Sequence, residues 1–256
     1  MSLKKVMLMT IEKFLHENER LDDLMMSGRK IIQNDTEFCF ATDSVLIAHF
    51  PKYKRNFKVL DLGTGTGVIP LLTADEVDKY FAIELNHEAA ELARRNVELN
   101  HLSEKISVTE GDYRRIRDFF SAESFDLVIA NPPYYPVQAG ESNKLIGVAR
   151  ARHEFTATLE DVVTAARFVL KYHGSFCMIH SATRLCEIID ALHRHQFEPK
   201  RLQMIYPKKN RDANLVMIDA IVGGNAGSLK ILPPLVIHED DGSYTADVKK
   251  IYGLEV

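Results

Sequence analysis

Four consecutive residues, Asn131-Pro132-Pro133-Tyr134, combine hydrogen-bond acceptors with an aromatic ring. They follow an apolar run over residues 125–130 that is typical of a buried strand. Each proline fixes its own φ and holds the preceding residue extended, so the loop is expected to be stiff. The Asn131 side-chain oxygen and the Pro132 carbonyl can then both accept hydrogen bonds beside the Tyr134 ring. This arrangement indicates a site for a planar base or amide that carries an –NH2 group.

A second motif, Asp61-Leu-Gly63-Thr64-Gly65-Thr-Gly67, ends an earlier apolar run. Its glycines permit a tight turn in which a ligand lies against bare backbone. Several nucleotide-binding folds use such a loop, but the acid at its head is informative. Asp61 would repel a pyrophosphate and attract an ammonium group. S-adenosylmethionine carries an ammonium and a sulfonium and no phosphate, so it is the predicted cofactor.

Two further acids follow the next two predicted strands. Glu84 is placed to accept hydrogen bonds from ribose hydroxyls, as acids at this position do in nucleotide sites. Asp112 is placed to accept a hydrogen bond from the adenine amino group. The neighbouring Leu85 and Tyr113 complete the predicted cofactor set. Because the carboxyl ends of parallel strands meet at one edge of a sheet, we expect these residues and Asn131 to line one cleft.

The elements that would position these residues alternate between strands and helices from residue 57 onward. This alternation predicts an α/β fold with a parallel sheet and helices on both faces. The pattern ends differently, because strands over 201–206 and 214–222 are joined by a short polar loop and should be antiparallel. Two edge segments, 229–232 and 235–237, follow them.

A shorter region precedes the alternating pattern. It contains two predicted strands, 30–33 and 37–40, and a helix that begins at Thr42 or Asp43 and stops at Pro51. The chain is therefore expected to have three parts: an N-terminal extension over 1–54, a catalytic domain over 55–237 and a polar C-terminal tail over 238–256.

The composition bounds the class of protein. The chain has 256 residues, 46% hydrophobic and 27% charged, with a net charge of −4, which is typical of a globular protein. Contacts with nucleic acid would have to come from local basic patches. Three scattered cysteines indicate buried thiols in a reducing compartment, and no metal is expected. Without a signal peptide or a membrane-length apolar run, we predict a cytoplasmic protein. The sequence leaves the oligomeric state open, with a monomer as the simplest expectation.

The two motifs together resemble the class I S-adenosylmethionine-dependent methyltransferases that modify exocyclic amines. The stretch Phe38-Cys-Phe-Ala-Thr42-Asp43-Ser44-Val-Leu46 is similar to the bacterial tRNA1(Val) adenine-37 N6-methyltransferase family, with a resemblance over about residues 20–237. The resemblance implies a Rossmann-like sheet of seven strands and transfer of a methyl group to adenine 37 of valine tRNA. It also implies that the N-terminal extension closes over the methionine end of the cofactor, which makes Thr42 and Asp43 candidates for the cofactor pocket.

An aromatic amine acceptor defines roles for the loop residues. Asn131 and Pro132 would orient the amine, and Tyr134 would stack on the base, a contact worth ~1–3 kcal/mol. His153 and Glu154 lie in the long connection over 135–157, which they are expected to fix, and a catalytic role for them stays open. An RNA substrate also needs phosphate contacts. The basic candidates form three groups: Lys208, Lys209 and Arg211; Lys144, Arg150 and Arg152; and Arg114, Arg115 and Arg117.

Other functions stay open from the sequence. The same loop could present adenine N6 or guanine N2 of rRNA, or a glutamine side chain of a release factor, although no large N-terminal helical domain of the release-factor type is evident. An NAD-dependent oxidoreductase would need a hydride-transfer residue pair, which is not recognisable, and Asp61 argues against it. A non-catalytic module that binds RNA or cofactor is the third alternative, and the intact motifs argue against it.

Overall fold

The computed structural model describes residues 15–24, 28–34, 42–134 and 157–254. The strands in these ranges are β1 (Glu19–Asp23), β2 (Lys30–Asn34), β3 (Lys58–Leu62), β4 (Lys79–Glu84), β5 (Ile106–Glu110), β6 (Phe125–Ala130), β7 (Leu170–Ser181), β8 (Phe197–Lys208), β9 (Leu215–Val222), β10 (Lys230–Ile231) and β11 (Leu235–His238). The α-helices are α1 (Thr42–His49), α2 (Val68–Thr73), α3 (His87–Leu99), α4 (Leu159–Val169), α5 (Leu185–Arg194) and α6 (Ala246–Ile251). Three 3-10 helices span Ala74–Glu76, Tyr113–Asp118 and Ala182–Arg184.

One sheet of nine strands organises the described part of the chain. Its order is β10-β8-β9-β7-β6-β3-β4-β5, and β11 also pairs with β8. Strands β3 to β7 are parallel, whereas β9 is antiparallel to both β7 and β8. The predicted α/β sheet that ends in an antiparallel hairpin is confirmed. Strands β3 to β9 form the seven-stranded unit, and the two predicted edge segments extend it as β10 and β11.

The central strands are buried because helices cover both faces of the sheet. Alternate residues of β3 enter two different apolar clusters, with Val59 on one face and Leu60 on the other. The Val59 cluster includes buried residues of α1, α2 and α6, and the Leu60 cluster includes those of α4 and α5. This two-sided burial explains why β3 and β6 read as continuous apolar runs.

Strands β7 and β8 are longer than the sequence predicts. We expected the β7 strand to begin at Gly174, whereas it begins at Leu170, and the pairing of β6 with β7 shifts register there. The β8 strand was expected from Arg201 but runs from Phe197 through Pro199, where its pairing with β9 also shifts. Glycine and proline usually end a strand, but here irregular pairing accommodates both of them.

The N-terminal strands attach to the catalytic sheet through a buried asparagine. Strands β1 and β2 form an antiparallel pair. The Asn96 side chain on α3 accepts a hydrogen bond from the Ile32 amide at 2.6 Å and donates to the Ile32 carbonyl at 3.1 Å. It also donates to the Thr66 carbonyl, at 3.0 Å. The predicted strand over 30–33 is thus confirmed, and the predicted strand over 37–40 lies outside the described residues.

The C-terminal segment differs from the polar tail expected from the sequence. Residues of α6 pack on β11 and α1, and Val248 is completely buried in the same apolar cluster as α1. Tyr252, which follows α6, is also buried there. None of the helices described in the structure has the length and apolar character needed to cross a membrane.

Candidate active site

The predicted site residues meet at the carboxyl edge of the sheet. Pairing aligns Leu62, the last residue of β3, with Ala130, the last residue of β6, and with Ile83 near the end of β4. The chain order reverses between β3 and β6, which is the switch point where ligands bind in open α/β sheets. Gly63 and Asn131 therefore leave neighbouring strands at this point. Glu84 ends β4 one strand away, opposite Glu110 of β5.

The glycine loop takes a conformation that glycine permits. Gly63, Gly65 and Gly67 have φ values of 74°, 56° and 86°, which lie in the left-handed region. The Gly63 and Thr64 amides both donate to the Ile83 carbonyl, at 2.9 and 3.1 Å, and tie the loop to β4. A Cβ on Gly67 would lie 3.4 Å from the Ala93 Cβ of α3, so a larger residue would also crowd that helix.

Asp61 is a buried carboxylate without a partner. Its exposure is 0%, and neither of its oxygens has a hydrogen-bond partner among the described residues. Burial raises the pKa of Asp61 to about 7, and the nearby Thr64 hydroxyl, which is outside hydrogen-bonding geometry, only partly offsets this rise. A buried acceptor that lacks a donor fits a ligand that brings a cationic amine toward this turn. This unpaired acceptor therefore fits the ammonium of S-adenosylmethionine.

Glu84 is held in place by the backbone of the same turn. Its two carboxylate oxygens accept hydrogen bonds from the Gly65 amide at 2.8 Å and from the Asn86 amide at 2.9 Å. Each oxygen keeps one further acceptor position, which suits a pair of ribose hydroxyls. The adjacent Leu85 is 46% exposed, so an apolar surface is open beside this carboxylate.

Asp112 is already engaged in an ion pair, which the sequence did not indicate. Its oxygens accept hydrogen bonds from the backbone amide of Arg114 at 2.9 Å and from the Arg114 guanidinium at 2.6–2.9 Å. These bonds hold the pKa of the Asp112 carboxyl below its usual value. Tyr113 is buried, with its ring 3.7 Å from the position of a Cβ on Gly63. An adenine amino group would have to share Asp112 with Arg114.

The Asn131-to-Tyr134 loop is joined to the first turn of α1. The Asn131 Nδ2 donates to Ser44 Oγ at 3.0 Å. The Tyr134 hydroxyl lies 2.7 Å from Asn131 Oδ1 and 2.5 Å from Asp43 Oδ2. Burial and the Asp43 carboxylate raise the pKa of Tyr134 above its usual range, so the phenol keeps its proton. Pro132 is buried and Pro133 is exposed.

Thr42 and Asp43 begin α1, and the Asp43 side chain contacts the acceptor loop. Asp43 Oδ1 accepts a hydrogen bond from the Ser44 amide at 2.8 Å, while the other oxygen contacts Tyr134. Ser44 is a residue that sequence reasoning missed. Its only signal is that it follows Thr42-Asp43 directly, and the contact joins residues 87 positions apart.

His180 and Arg184 also lie beside the loop and were not predicted. The His180 ring, at the end of β7, contacts the Tyr134 ring with centroids 5.4 Å apart. Burial and the Arg184 charge lower the pKa of His180 to about 4, so the imidazole is neutral at neutral pH. Arg184 donates to the Tyr134 carbonyl at 3.5 Å and forms an ion pair with Glu187. The sequence offered one signal for His180, which is a histidine near the end of an otherwise apolar strand segment.

The predicted basic group of Lys208, Lys209 and Arg211 lies at the same edge. Strand β8 is parallel to β7, so the loop that follows Lys208 emerges at the carboxyl edge. Lys209 and Arg211 are exposed there, and Lys208 donates to the Asp240 carbonyl at 3.0 Å. Arg114, Arg115 and Arg117 are exposed, but the first two form ion pairs with Asp112 and Asp118. The remaining basic candidates, Lys144, Arg150 and Arg152, lie outside the described residues, as do His153 and Glu154.

The sheet order, the switch point and the acid-headed glycine loop define a class I methyltransferase. Residues 37–196 match the methyltransferase small domain family, which is more than half of the chain, and the chain belongs to this family.

Two relatives in sequence carry the same name, and a similar solved structure is also named a methyltransferase. A protein of a Flavobacteriaceae bacterium named tRNA1(Val) (adenine(37)-N6)-methyltransferase is 30% identical over 149 residues, which is 57% of this chain and 61% of that relative. One of the same name from Aeromonas hydrophila is 26% identical over 207 residues, covering 80% of this chain and 84% of the relative. The structure of a predicted O-methyltransferase from Agrobacterium tumefaciens has a TM-score of 0.67 at 25% identity and covers 82% of this chain and 95% of its own.

Proposed function

We propose that this methyltransferase transfers a methyl group from S-adenosylmethionine to the exocyclic N6 of an adenine in tRNA, with adenine 37 of valine tRNA as the first position to test. The observation that carries the proposal is that the pairing of β3 with β6 brings Asn131, which Pro132 follows, next to the glycine loop at the switch point. The names of the two relatives in sequence support the substrate.

The cofactor would be held by the residues that the sheet edge brings together. Asp61 would gain the cationic partner that it lacks, Glu84 would accept from the ribose and Leu85 would cover the adenine. Gly63 and Gly65 allow the ligand to lie close to the backbone. Asp112 would accept from the adenine amino group while keeping part of its pairing with Arg114. Bound S-adenosylmethionine would supply a methyl group on a positively charged sulfur, and this sulfur is a good leaving group because it departs as a neutral thioether.

The acceptor amine needs orientation more than it needs a base. Its lone pair is delocalised into the purine ring, so the amine is a poor nucleophile. Asn131 Oδ1 and the Pro132 carbonyl would each accept a hydrogen bond from one N–H of the amine. These two hydrogen bonds would direct the nitrogen lone pair toward the methyl group. Positioning of this kind supplies much of the rate enhancement. The amine becomes acidic only after transfer, so no general base is required before it. Tyr134 would stack on the base.

The RNA would contact the protein beside this site. Three strand intervals separate β6 from β8 in the sheet, so the strands that lead into the acceptor loop and into the Lys209 and Arg211 loop lie about 14 Å apart. That distance is within the reach of neighbouring nucleotides when the target base is extruded from the RNA. A cytoplasmic location agrees with a tRNA substrate.

The test is transfer of labelled methyl groups to unmodified bulk tRNA, followed by nucleoside mass spectrometry. We expect label in N6-methyladenosine with the wild-type protein. Asn131→Ala should lower the transfer rate by at least about a hundredfold, because an orienting hydrogen bond made in the transition state is lost. The affinity for S-adenosylhomocysteine should change little.

Two outcomes would contradict parts of the proposal. Label in rRNA or in a release-factor glutamine, with none in tRNA, would keep the chemistry and refute the tRNA substrate. Wild-type rates in Asn131→Ala would refute the role of the Asn131 amide.

A further inference from the structure

The Tyr134 hydroxyl contacts two acceptor oxygens but has only one proton to donate. This hydroxyl lies 2.7 Å from Asn131 Oδ1 and 2.5 Å from Asp43 Oδ2. A tyrosine hydroxyl has one proton, and both neighbours are acceptors when Asp43 is ionised. The proton can therefore bond to only one of the two oxygens at a time.

The choice matters because Asn131 Oδ1 is the oxygen that would receive the substrate amine. If the Tyr134 proton points at Oδ1, it fills one of the two acceptor positions of that oxygen. If it points at Asp43, both positions stay open to the amine. A hydrogen bond to an ionised carboxylate is roughly twice as strong as one between neutral groups, so Asp43 should hold the proton.

Ser44 completes the arrangement from the other side of the amide. Asn131 Nδ2 donates to Ser44 Oγ at 3.0 Å, which opposes rotation of the carboxamide. Asp43 and Ser44 are adjacent in the first turn of α1, and the Ser44 amide donates to Asp43 Oδ1 at 2.8 Å. One helical turn thus contacts both ends of the Asn131 and Tyr134 pair.

We propose that Asp43 is a positioning residue that holds the Tyr134 hydroxyl proton and so keeps Asn131 Oδ1 free to accept the N–H of the substrate amine. The inference rests on the proposed role of Asn131 in methyl transfer. It gives Asp43 a function different from the cofactor contact predicted from the sequence, because Asp43 acts here through Tyr134.

The test compares single-turnover methyl transfer at saturating cofactor in Asp43→Asn, Tyr134→Phe and the double variant. Asp43→Asn keeps an acceptor oxygen for the Ser44 amide but loses the charge, so the Tyr134 proton can return to Asn131. We expect a rate about five- to tenfold below wild type, the effect of roughly one hydrogen bond. Tyr134→Phe keeps the ring and removes the competing donor, and it should cost less.

The decisive variant is the double one. If Asp43 acts by holding the Tyr134 proton, adding Tyr134→Phe to Asp43→Asn should restore the rate to that of Tyr134→Phe alone. A cofactor-binding or purely structural role for Asp43 would give additive losses, and a double variant slower than both single variants would overturn the proposal. Asp78→Asn and Tyr172→Phe, at exposed positions remote from this edge, make the same chemical changes and should leave the rate unchanged.

A second readout needs no RNA. In protein labelled at tyrosine 13Cζ, the Tyr134 resonance is the one missing from Tyr134→Phe. It should shift in Asp43→Asn, because the acceptor of its hydroxyl changes. An unshifted resonance would overturn the proposal. Failure of wild-type protein to methylate any RNA would instead count against the proposed function, and the resonance would still report whether Asp43 holds the proton.

Discussion

Asp61 lowers the stability of the folded chain, and the proposed contact with the cofactor ammonium gives this buried carboxyl a function. Its charge was predicted to select the cofactor, but its complete burial and its lack of a partner are visible only in the folded chain. Burial raises its pKa to about 7, from an ordinary value of 3.8. A raised carboxyl pKa means that the folded state holds the proton more tightly than the unfolded state. The protein without ligand therefore loses stability as pH rises from about 4 to about 7.

Asp61→Asn should accordingly stabilise the protein in the absence of ligand, and more so at pH 8 than at pH 5. The difference between the two pH values should be on the order of 2–3 kcal/mol, because each pKa unit corresponds to about 1.4 kcal/mol. Thermal unfolding at both pH values measures it, with the exposed Asp78→Asn as the matched control. The same variant should bind S-adenosylhomocysteine at least about tenfold more weakly. A gain in stability that is independent of pH would contradict the buried charge.

Residue types and spacing predicted the position of Asn131 and the glycine loop, because both depend on local sequence at the end of a strand. They did not predict Ser44 or His180 as neighbours of the loop. The Asn131 contact with Ser44 and the Tyr134 contact with Asp43 join positions 87 and 91 residues apart, and no local pattern encodes such pairs.

Among the elements, helix α6 shows where the sequence was least informative. Six residues without strong periodicity were assigned to a polar tail. In the fold, Val248 is fully buried beside α1. The buried Tyr252 lies close enough to Thr42 and Asp43 for both side chains to influence the pKa of its hydroxyl. The pKa of Tyr252 is raised to about 12, first by burial. The C-terminal helix therefore supports the helix that carries Asp43 and Ser44.

Val248→Asp should lower the free energy of unfolding by about 3 kcal/mol or more, because it buries an unpaired charge. Lys250→Ala, at an exposed position of the same helix, should change it by less than about 0.5 kcal/mol. Urea denaturation of the two variants measures both effects. Equal stabilities would mean that α6 does not contribute to the core.

At the scale of the whole molecule, the order of the strands decides which surfaces face the RNA. The alternation of strands and helices was sufficient to predict the sheet, and the missing helix between β8 and β9 predicted the antiparallel hairpin. That hairpin brings Lys209 and Arg211 to the edge that holds Asn131, despite a net charge of −4 for the chain. A local basic patch can bind RNA in an acidic protein, because screening limits repulsion to about 10 Å.

Replacing both Lys209 and Arg211 by alanine should weaken tRNA binding and reduce the slope of log affinity against log salt by about 2 at most, one for each phosphate contact. The affinity for S-adenosylhomocysteine should not change. The control is the double alanine variant of Lys54 and Arg55, which removes the same charge before β3 at the opposite edge. Filter binding at several salt concentrations measures the slope. An equal effect of both pairs would argue against a contact specific to the hairpin.

In the proposed function, Asn131 and Pro132 present the exocyclic amine of one adenine to the methyl donor. The most direct measurement compares two transcripts of valine tRNA, one with adenine at position 37 and one with guanine there, in labelled methyl transfer. The proposed function predicts label in the adenine transcript, recovered as N6-methyladenosine, and background label in the guanine transcript. Equal labelling of both transcripts, or label in a nucleoside other than N6-methyladenosine, would contradict it.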